Sequence, residues 1–480
     1  MALSPEMTRS PRSWLDRLWT SIADRGRAFV QVPAATVPPL DRAKQLAMAL
    51  LSERGEASGA AVARDLLSTL RGLAPDDRAA FENFLAEGFA PETETLRAAA
   101  DAYSADPTPE RAMSLFNAAE PPRQELLRRM NMAPGGTQAL VGMRQELLAR
   151  VRKEPVLKPL DNDLQHLFSS WFNRGFLELR RIDWDTPAAI LEKLITYEAV
   201  HEIDGWPDLR RRLAPDRRCF AFFHQALPNE PLIFVEVALV RGIAASVQPL
   251  LALEPTEPSV EPDAADTAIF YSISNCQEGL RGVSFGNFLI KQVVEELKVE
   301  LPGLNQFSTL SPVPGFRNWL EKRLAAKSEE GSPLAPIDEE TAKLLAEIGK
   351  DDNWLQDEAR VEALRGPLMR LCAEYLTLLH NGANRTDPVA RFHLGNGATL
   401  ERINWLGNTA RRGLRESYGI MVNYLYDRET IEANHEAFVR HGAVARSRAV
   451  DALLTLPSPA AETPRSWTPL NLLPLSRRRV

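Results

Sequence analysis

Residues 281–287 read RGVSFGN, a glycine-bearing stretch between a strand-like run, AIFYSISN, and a helix-like run, FLIKQVVEEL. A loop leading from a strand into a helix presents unpaired backbone amides, and the helix dipole adds partial positive charge at the same place. A phosphate satisfies both. Gly282 lets the backbone turn, and Gly286 clears side-chain bulk where a ligand would lie against the helix. Arg281 adds a charged, forked donor. No Lys-Ser/Thr pair follows the glycines, so this is not a Walker loop, and a third glycine is missing for a dinucleotide fingerprint. On spacing alone a ligand-free tight turn competes with phosphate binding. Cys276, just ahead of the loop, is a candidate thiol, though a free cysteine is ordinarily a small buried apolar residue. Cys219, Cys276 and Cys372 are far apart and match no metal-ligand spacing, so a reducing compartment is expected.

The elements that must position such a loop divide the chain unevenly. At 480 residues one core is not enough, and two domains are expected. Hydrophobic residues make up 44% and charged residues 25%, the balance of a soluble globular protein. A net charge of −7 argues against a dedicated nucleic-acid binder but leaves room for a local basic pocket. From about residue 10 to 200 apolar residues recur at three and four, punctuated by proline and glycine, as in LDRAKQLAMALLSERG and GTQALVGMRQELLARV. That is the pattern of an antiparallel helical bundle serving as scaffold and oligomer contact. The texture changes near residue 215, where RRCFAFFHQ and EPLIFVEVALVRG read as paired strands. TAIFYSISN, the helix from Phe285, and LNQFSTLS then form a strand–helix–strand crossover with parallel neighbours. Residues 325–385 read as a helical insertion, GIMVNYLYDRET as a last strand, and 456–480 as a proline-rich tail. The expected fold class is α+β and multidomain. A helical domain spans 1–190, an α/β domain with a mixed sheet spans 191–455, and the tail follows.

The loop resembles the coenzyme A pyrophosphate loop of GCN5-related acetyltransferases. Arg281 and Gly286 match that family's first and last marks, and Ser284 departs from its middle glycine. A closer resemblance runs from about residue 190 to 430. IFYSIS, GLRGVSFGNFLIKQVVEEL, FSTLSPVPGF, GPLMRLCAEYL, DPVARFHLGNGATLERINW and GIMVNYLY resemble the malonyl-CoA decarboxylase family, whose helical domain also fits the N-terminal half. LSPVPGF together with FHLGNGA is far more specific than the glycine loop. The resemblance implies an acetyltransferase-like catalytic domain that cleaves malonyl-CoA to acetyl-CoA and CO2 without metal or biotin. Coenzyme A enters only as part of the substrate.

By that resemblance the coenzyme A loop falls on Arg281, Gly282, Val283, Ser284, Phe285, Gly286 and Asn287. Some relatives carry glutamate at the position of Ser284, so no charged role is assigned there. The family's serine falls on Ser311, which positions the carboxylate and accepts a proton. Its histidine falls on His393, the proton donor, and Tyr426 is carried over as a supporting residue. Ser311 and His393 also count among the residues that meet the substrate. The chemistry is consistent with these types. Loss of CO2 leaves an enolate, whose oxyanion needs donors worth about 3–4 kcal/mol each. Its carbon needs a proton, for which an imidazole of pKa near ~6.5 is suited. Arg402, Asn404 and Trp405 are candidates for orienting His393, and Arg411, Arg412 and Arg415 for the 3′-phosphate of coenzyme A or for a solvated face. His224 is expected to be structural. The competing readings are an acyl-CoA-dependent N-acyltransferase and a non-catalytic coenzyme A-binding regulator. No run spans a bilayer, no secretory h-region opens the chain, and SRRRV matches no retention signal. A cytoplasmic homo-oligomer, dimer or tetramer, assembled through the helical domain and independent of nucleic acid and membrane, is expected.

Overall fold

A computed structural model of the chain describes residues 14–27, 36–52, 56–253, 260–283, 285, 289–325, 337–348, 353–377 and 387–455. The chain divides into two compact units, Met1–Leu310 and Ser311–Val480.

The first unit opens with helices from Trp14–Gly26 through Lys158–Trp171. Their starts follow from local chemistry. Pro75, Pro109 and Pro122 open three of them, where a missing N–H is no loss. The Glu92 carboxylate accepts from the amides of Glu94 and Thr95, and the Thr108 hydroxyl accepts from Arg111. Leu46, Leu66, Leu85, Leu126, Leu140 and Leu164 are fully buried along the inner faces, the stripe that helical periodicity requires.

Strand β1, Leu177–Ile182, departs from the helical reading of residues 10–200. Its sequence, LELRRI, alternates over only four residues before Arg180 and Arg181 stand side by side. It is an edge strand, and charge on an edge discourages further pairing. It pairs antiparallel with β2, Arg217–His224, from Leu177 opposite His224 to Ile182 opposite Cys219. β2 pairs antiparallel with β3, Ile233–Val240, and β3 with β4, Thr267–Asn275. β5, Gln306–Thr309, runs parallel to β4, and the helix Leu289–Glu300 lies between them in sequence. This is the expected crossover, and the antiparallel and parallel ladders together make the sheet mixed. β2 and β3 are buried at every residue but their last, which is why they read as continuous apolar runs. One cluster of this unit joins Ile190, Leu191, Leu194 and Leu209 to Cys219, Ala221, Phe223 and Phe234. Glu236, in the middle of β3 with no exposure, is tolerated because Arg212 Nη1 donates to it at 2.5 Å.

The second unit contains β6, Ser311–Pro312, β7, Thr399–Asn404, and β8, Met421–Leu425. β8 is flanked by the other two, both antiparallel to it. The helices Glu339–Ile348 and Glu358–Thr377 lie in the stretch read as an insertion, and Pro388–Gly395 precedes β7. Among the described residues no helix is long and apolar enough to cross a membrane. The proline-rich tail read at 456–480 lies outside the described residues.

Candidate active site

Ser311 opens β6, where its backbone pairs with Val422 of β8. Residues paired across a ladder share a face, and alternation puts i and i+2 on that same face. Ser311, Val422 and Tyr424 therefore lie on one side, with Tyr426 next in the series just past the strand end. His393, on the helix Pro388–Gly395, sits against that side. Its ring stacks on Tyr424 with centroids 4.6 Å apart and planes at 22°. Its Nε2 is 3.1 Å from Ser311 Oγ, and its Nδ1 is 2.8 Å from the Tyr426 hydroxyl. Serine, imidazole and phenol thus form one hydrogen-bonded chain, and all three side chains are buried.

Burial sets the electrostatics. Desolvation lowers the His393 pKa to about 3, so the imidazole rests neutral. The same cause holds the Tyr426 phenol well above its ordinary range, so it keeps its proton. A neutral ring carries one N–H, and two arrangements satisfy the chain. Either Tyr426 O–H donates to Nδ1 and Nε2–H faces Ser311 Oγ, or Ser311 O–H donates to Nε2 and Nδ1–H faces the phenol oxygen.

Asp387 ties the two halves of this arrangement together. One carboxylate oxygen accepts from the amides of Val389 and Ala390, capping the helix that carries His393, at 2.9 and 3.2 Å. The other accepts from the Gly315 amide at 3.1 Å, in the turn that follows Ser311, and from the Tyr375 hydroxyl at 3.3 Å. Gly315 must be glycine here, because a Cβ would lie 2.3 Å from the Tyr375 hydroxyl. Desolvation raises the Asp387 pKa, and the two helix amides and the Gly315 amide oppose that rise.

The glycine loop belongs to the first unit. Gly282 has φ of +80°, which only glycine adopts without strain. Arg281 pairs with Glu278 on the surface, a pair of little intrinsic strength that an anion can displace. Arg144, on the helix Gly136–Arg150, is buried and holds the loop from beneath. Its Nη1 donates to the carbonyls of Gly279 at 2.9 Å and Arg281 at 2.8 Å, while its Nε donates to Asp161 at 2.8 Å. Gln165 donates to the Gly282 carbonyl at 3.1 Å. A Cβ on Gly279 would stand 2.0 Å from the Val141 carbonyl, so the loop packs directly on that helix. Val283 and Phe285 are buried; Ser284, Gly286 and Asn287 lie outside the described residues.

Comparison with known proteins decides the family. The malonyl-CoA decarboxylase C-terminal domain matches residues 175–463, more than half of the chain, and the N-terminal domain matches residues 89–172. The chain belongs to the malonyl-CoA decarboxylase family. Its reaction class is accordingly that of a carboxy-lyase. The mitochondrial malonyl-CoA decarboxylase of Anser anser anser is 40% identical over 335 residues, 66% of this chain and 66% of that protein. That of Rattus norvegicus is 37% identical over 330 residues, 65% of this chain and 67% of that protein. The chain therefore spans about two thirds of these relatives. The crystal structure of malonyl-CoA decarboxylase from Rhodopseudomonas palustris is 50% identical with a TM-score of 0.80, covering 86% of this chain and 99% of that one. The enzyme from Agrobacterium vitis is 53% identical with a TM-score of 0.78, covering 86% and 100%.

Within this family member the structure separates residues that the sequence leaves together. Arg402 and Asn404 do not orient His393: both donate to Asn423 Oδ1, at 3.2 and 2.7 Å. Asn423 alternates with Val422 and Tyr424 and so faces away from the imidazole. Tyr424 and Tyr426 do that work instead. Cys276 is buried, and desolvation pushes its thiol pKa far up, so it is no ready nucleophile. His224 ends β2 against Phe172, with ring centroids 4.8 Å apart, as a structural residue does. Ser308 lies on β5, fully buried, apart from the β6 position of Ser311. Sequence reasoning missed Asp387, Tyr424 and Arg144. An Asp before Pro at the start of a helical run is a capping signal and pointed to Asp387. No sequence signal marked Arg144, one basic residue among many on a bundle helix.

Proposed function

We propose that this chain decarboxylates malonyl-CoA to acetyl-CoA and CO2 through Ser311, His393 and Tyr426, with coenzyme A held at the loop from Arg281. The observation that carries the reading is the buried Ser311–His393–Tyr426 chain in a member of this family. The reaction consumes one proton. The C–C bond to the carboxylate breaks, its electron pair moves into the enolate, and the enolate carbon must be protonated. Neutral His393 cannot lend a proton and reset without taking one up. A substrate carboxylate against Ser311 supplies the missing opposite charge and enlarges the protonated fraction of His393 in the complex, and turnover runs through that fraction. Ser311 Oγ holds the carboxylate out of the thioester plane. After CO2 leaves, the imidazolium gives its proton to the enolate carbon, with Ser311 as acceptor and relay where the path runs through its hydroxyl. Neutral His393 is then restored. Tyr426 fixes the ring through Nδ1. In a dry site these interactions act at full strength.

No metal, biotin or other cofactor takes part in this reading. The cytoplasm is proposed as compartment, on the spacing of the three cysteines, and a homo-oligomer through the helical region as quaternary state, which light scattering tests. The main test is the protein incubated with malonyl-CoA after chelator and avidin treatment, followed for acetyl-CoA. Turnover is expected, and Ser311→Ala and His393→Asn are each expected to lower kcat about tenfold or more at unchanged circular dichroism. An inactive wild-type protein that instead acetylates a polyamine would replace this reading with the acyltransferase one.

A further inference from the structure

The second unit contains a pocket of about 850 Å³ that the decarboxylation chemistry does not use. Pro314, on the turn after Ser311, forms one edge of it. Ile348, Trp354 and Leu414 make an apolar wall, and Arg317, Arg411 and Arg415 supply cationic groups. The two carboxylates that line it are already engaged. Glu321 takes Arg317 at 2.8 Å and Glu416 takes Arg412 at 2.9 Å. No carboxylate among the described residues pairs with Arg411 or Arg415, and both are exposed. The pocket therefore combines an apolar wall with two guanidiniums that no described carboxylate engages, and its volume suits a ligand of a few hundred daltons. A planar base suits the wall, and a phosphoryl group suits forked cationic donors.

We propose that this pocket binds a nucleoside phosphate, its base against Ile348, Trp354 and Leu414 and its phosphoryl group on Arg411 and Arg415. Two sources share that chemistry: the 3′-phosphorylated nucleotide end of the substrate, which rests on the coenzyme A reading above, and a free nucleotide acting as effector. The test is calorimetric titration of the full chain with adenosine 3′,5′-bisphosphate, comparing wild type with the Arg411→Ser/Arg415→Ser double variant. Both positions are exposed, so folding should survive, and a thermal melt checks it. Affinity is expected to fall roughly tenfold per guanidinium, about a hundredfold for the pair. Equal affinity in the two proteins, or no binding to wild type, overturns the proposal. Initial rates then identify the source. If the bisphosphate competes with malonyl-CoA, and the double variant raises KM for malonyl-CoA but not for its 3′-dephospho analogue, the substrate fills the pocket. A rate change without competition assigns it to a free nucleotide. A wild-type protein that never turns over malonyl-CoA would sink the catalytic reading, while the calorimetric comparison still decides the pocket.

Discussion

The pH dependence of the rate tests the proposed proton uptake most directly. Burial takes the His393 pKa from an ordinary 6.5 to about 3. That gap corresponds to about 5 kcal/mol favouring the neutral ring. At neutral pH only about one free enzyme molecule in 10⁴ carries the imidazolium. An opposite charge within ~4–6 Å raises a pKa by about 1–3, so with the substrate carboxylate in place His393 titrates at about 4–6. Two consequences follow for initial rates between about pH 5.5 and 8. The value of kcat/KM should fall about tenfold per pH unit throughout, because the free enzyme lacks the proton that the complex needs. The value of kcat should also decline above the pKa of the complex. Malonyl-pantetheine is the better substrate for this assay, since a phosphate monoester itself titrates near ~6. A kcat/KM that is level up to pH 6.5 and only then breaks would mean an imidazole of ordinary pKa, and the burial argument would fail. A flat profile would mean that His393 does not supply the proton.

Three further outcomes are expected. In Asp387→Asn one amide oxygen can still cap the helix, but the NH2 meets the Gly315 N–H. Leaving that part-buried donor unpaired costs about 1 kcal/mol or more, so kcat should drop about tenfold with KM little changed, and a wild-type kcat would remove Asp387 as a positioning residue. Arg144→Ala removes the donor to the Gly279 and Arg281 carbonyls; KM for malonyl-CoA should rise about tenfold with kcat largely kept, and an unaltered KM would show that the loop needs no brace. The pKa of His393 is lower folded than unfolded, so between pH 6.5 and 3 the unfolded chain binds the extra proton. Stability from this group is full above pH 6.5 and is lost as pH falls, by about 1.4 kcal/mol per pH unit; in urea titrations at two acidic pH values, His393→Gln should lose less stability than wild type, and parallel losses would contradict the shift.

Much of the fold was legible because it rests on local patterning. The bundle was visible from three-four periodicity with proline starts, and β2, β3 and β4 from their apolar, β-branched runs. The parallel pairing of β4 and β5 followed from chain order alone, since a helix lies between them. β1 was illegible because its alternation is short and the adjacent Arg180 and Arg181 break it before the buried Ile182. Tyr426 was reached through the family resemblance, but the Tyr424 stack on His393 was illegible, because ERINW lies closer to His393 in sequence than NYLY does.

By itself the sequence determined which residue types were present for the chemistry: a glycine turn that only Gly282 can make, a hydroxyl beside a proline turn, and an imidazole on a short helix. Only the tertiary structure decided that Ser311, His393 and Tyr426 meet, that Asp387 joins the Gly315 turn to the His393 helix, and that Arg144 supports the loop. The physical reason is that contact and burial are non-local. Ser311 and His393 are 82 residues apart. The ring's pKa of about 3 comes from burial, which the folded surroundings create and the local sequence does not record.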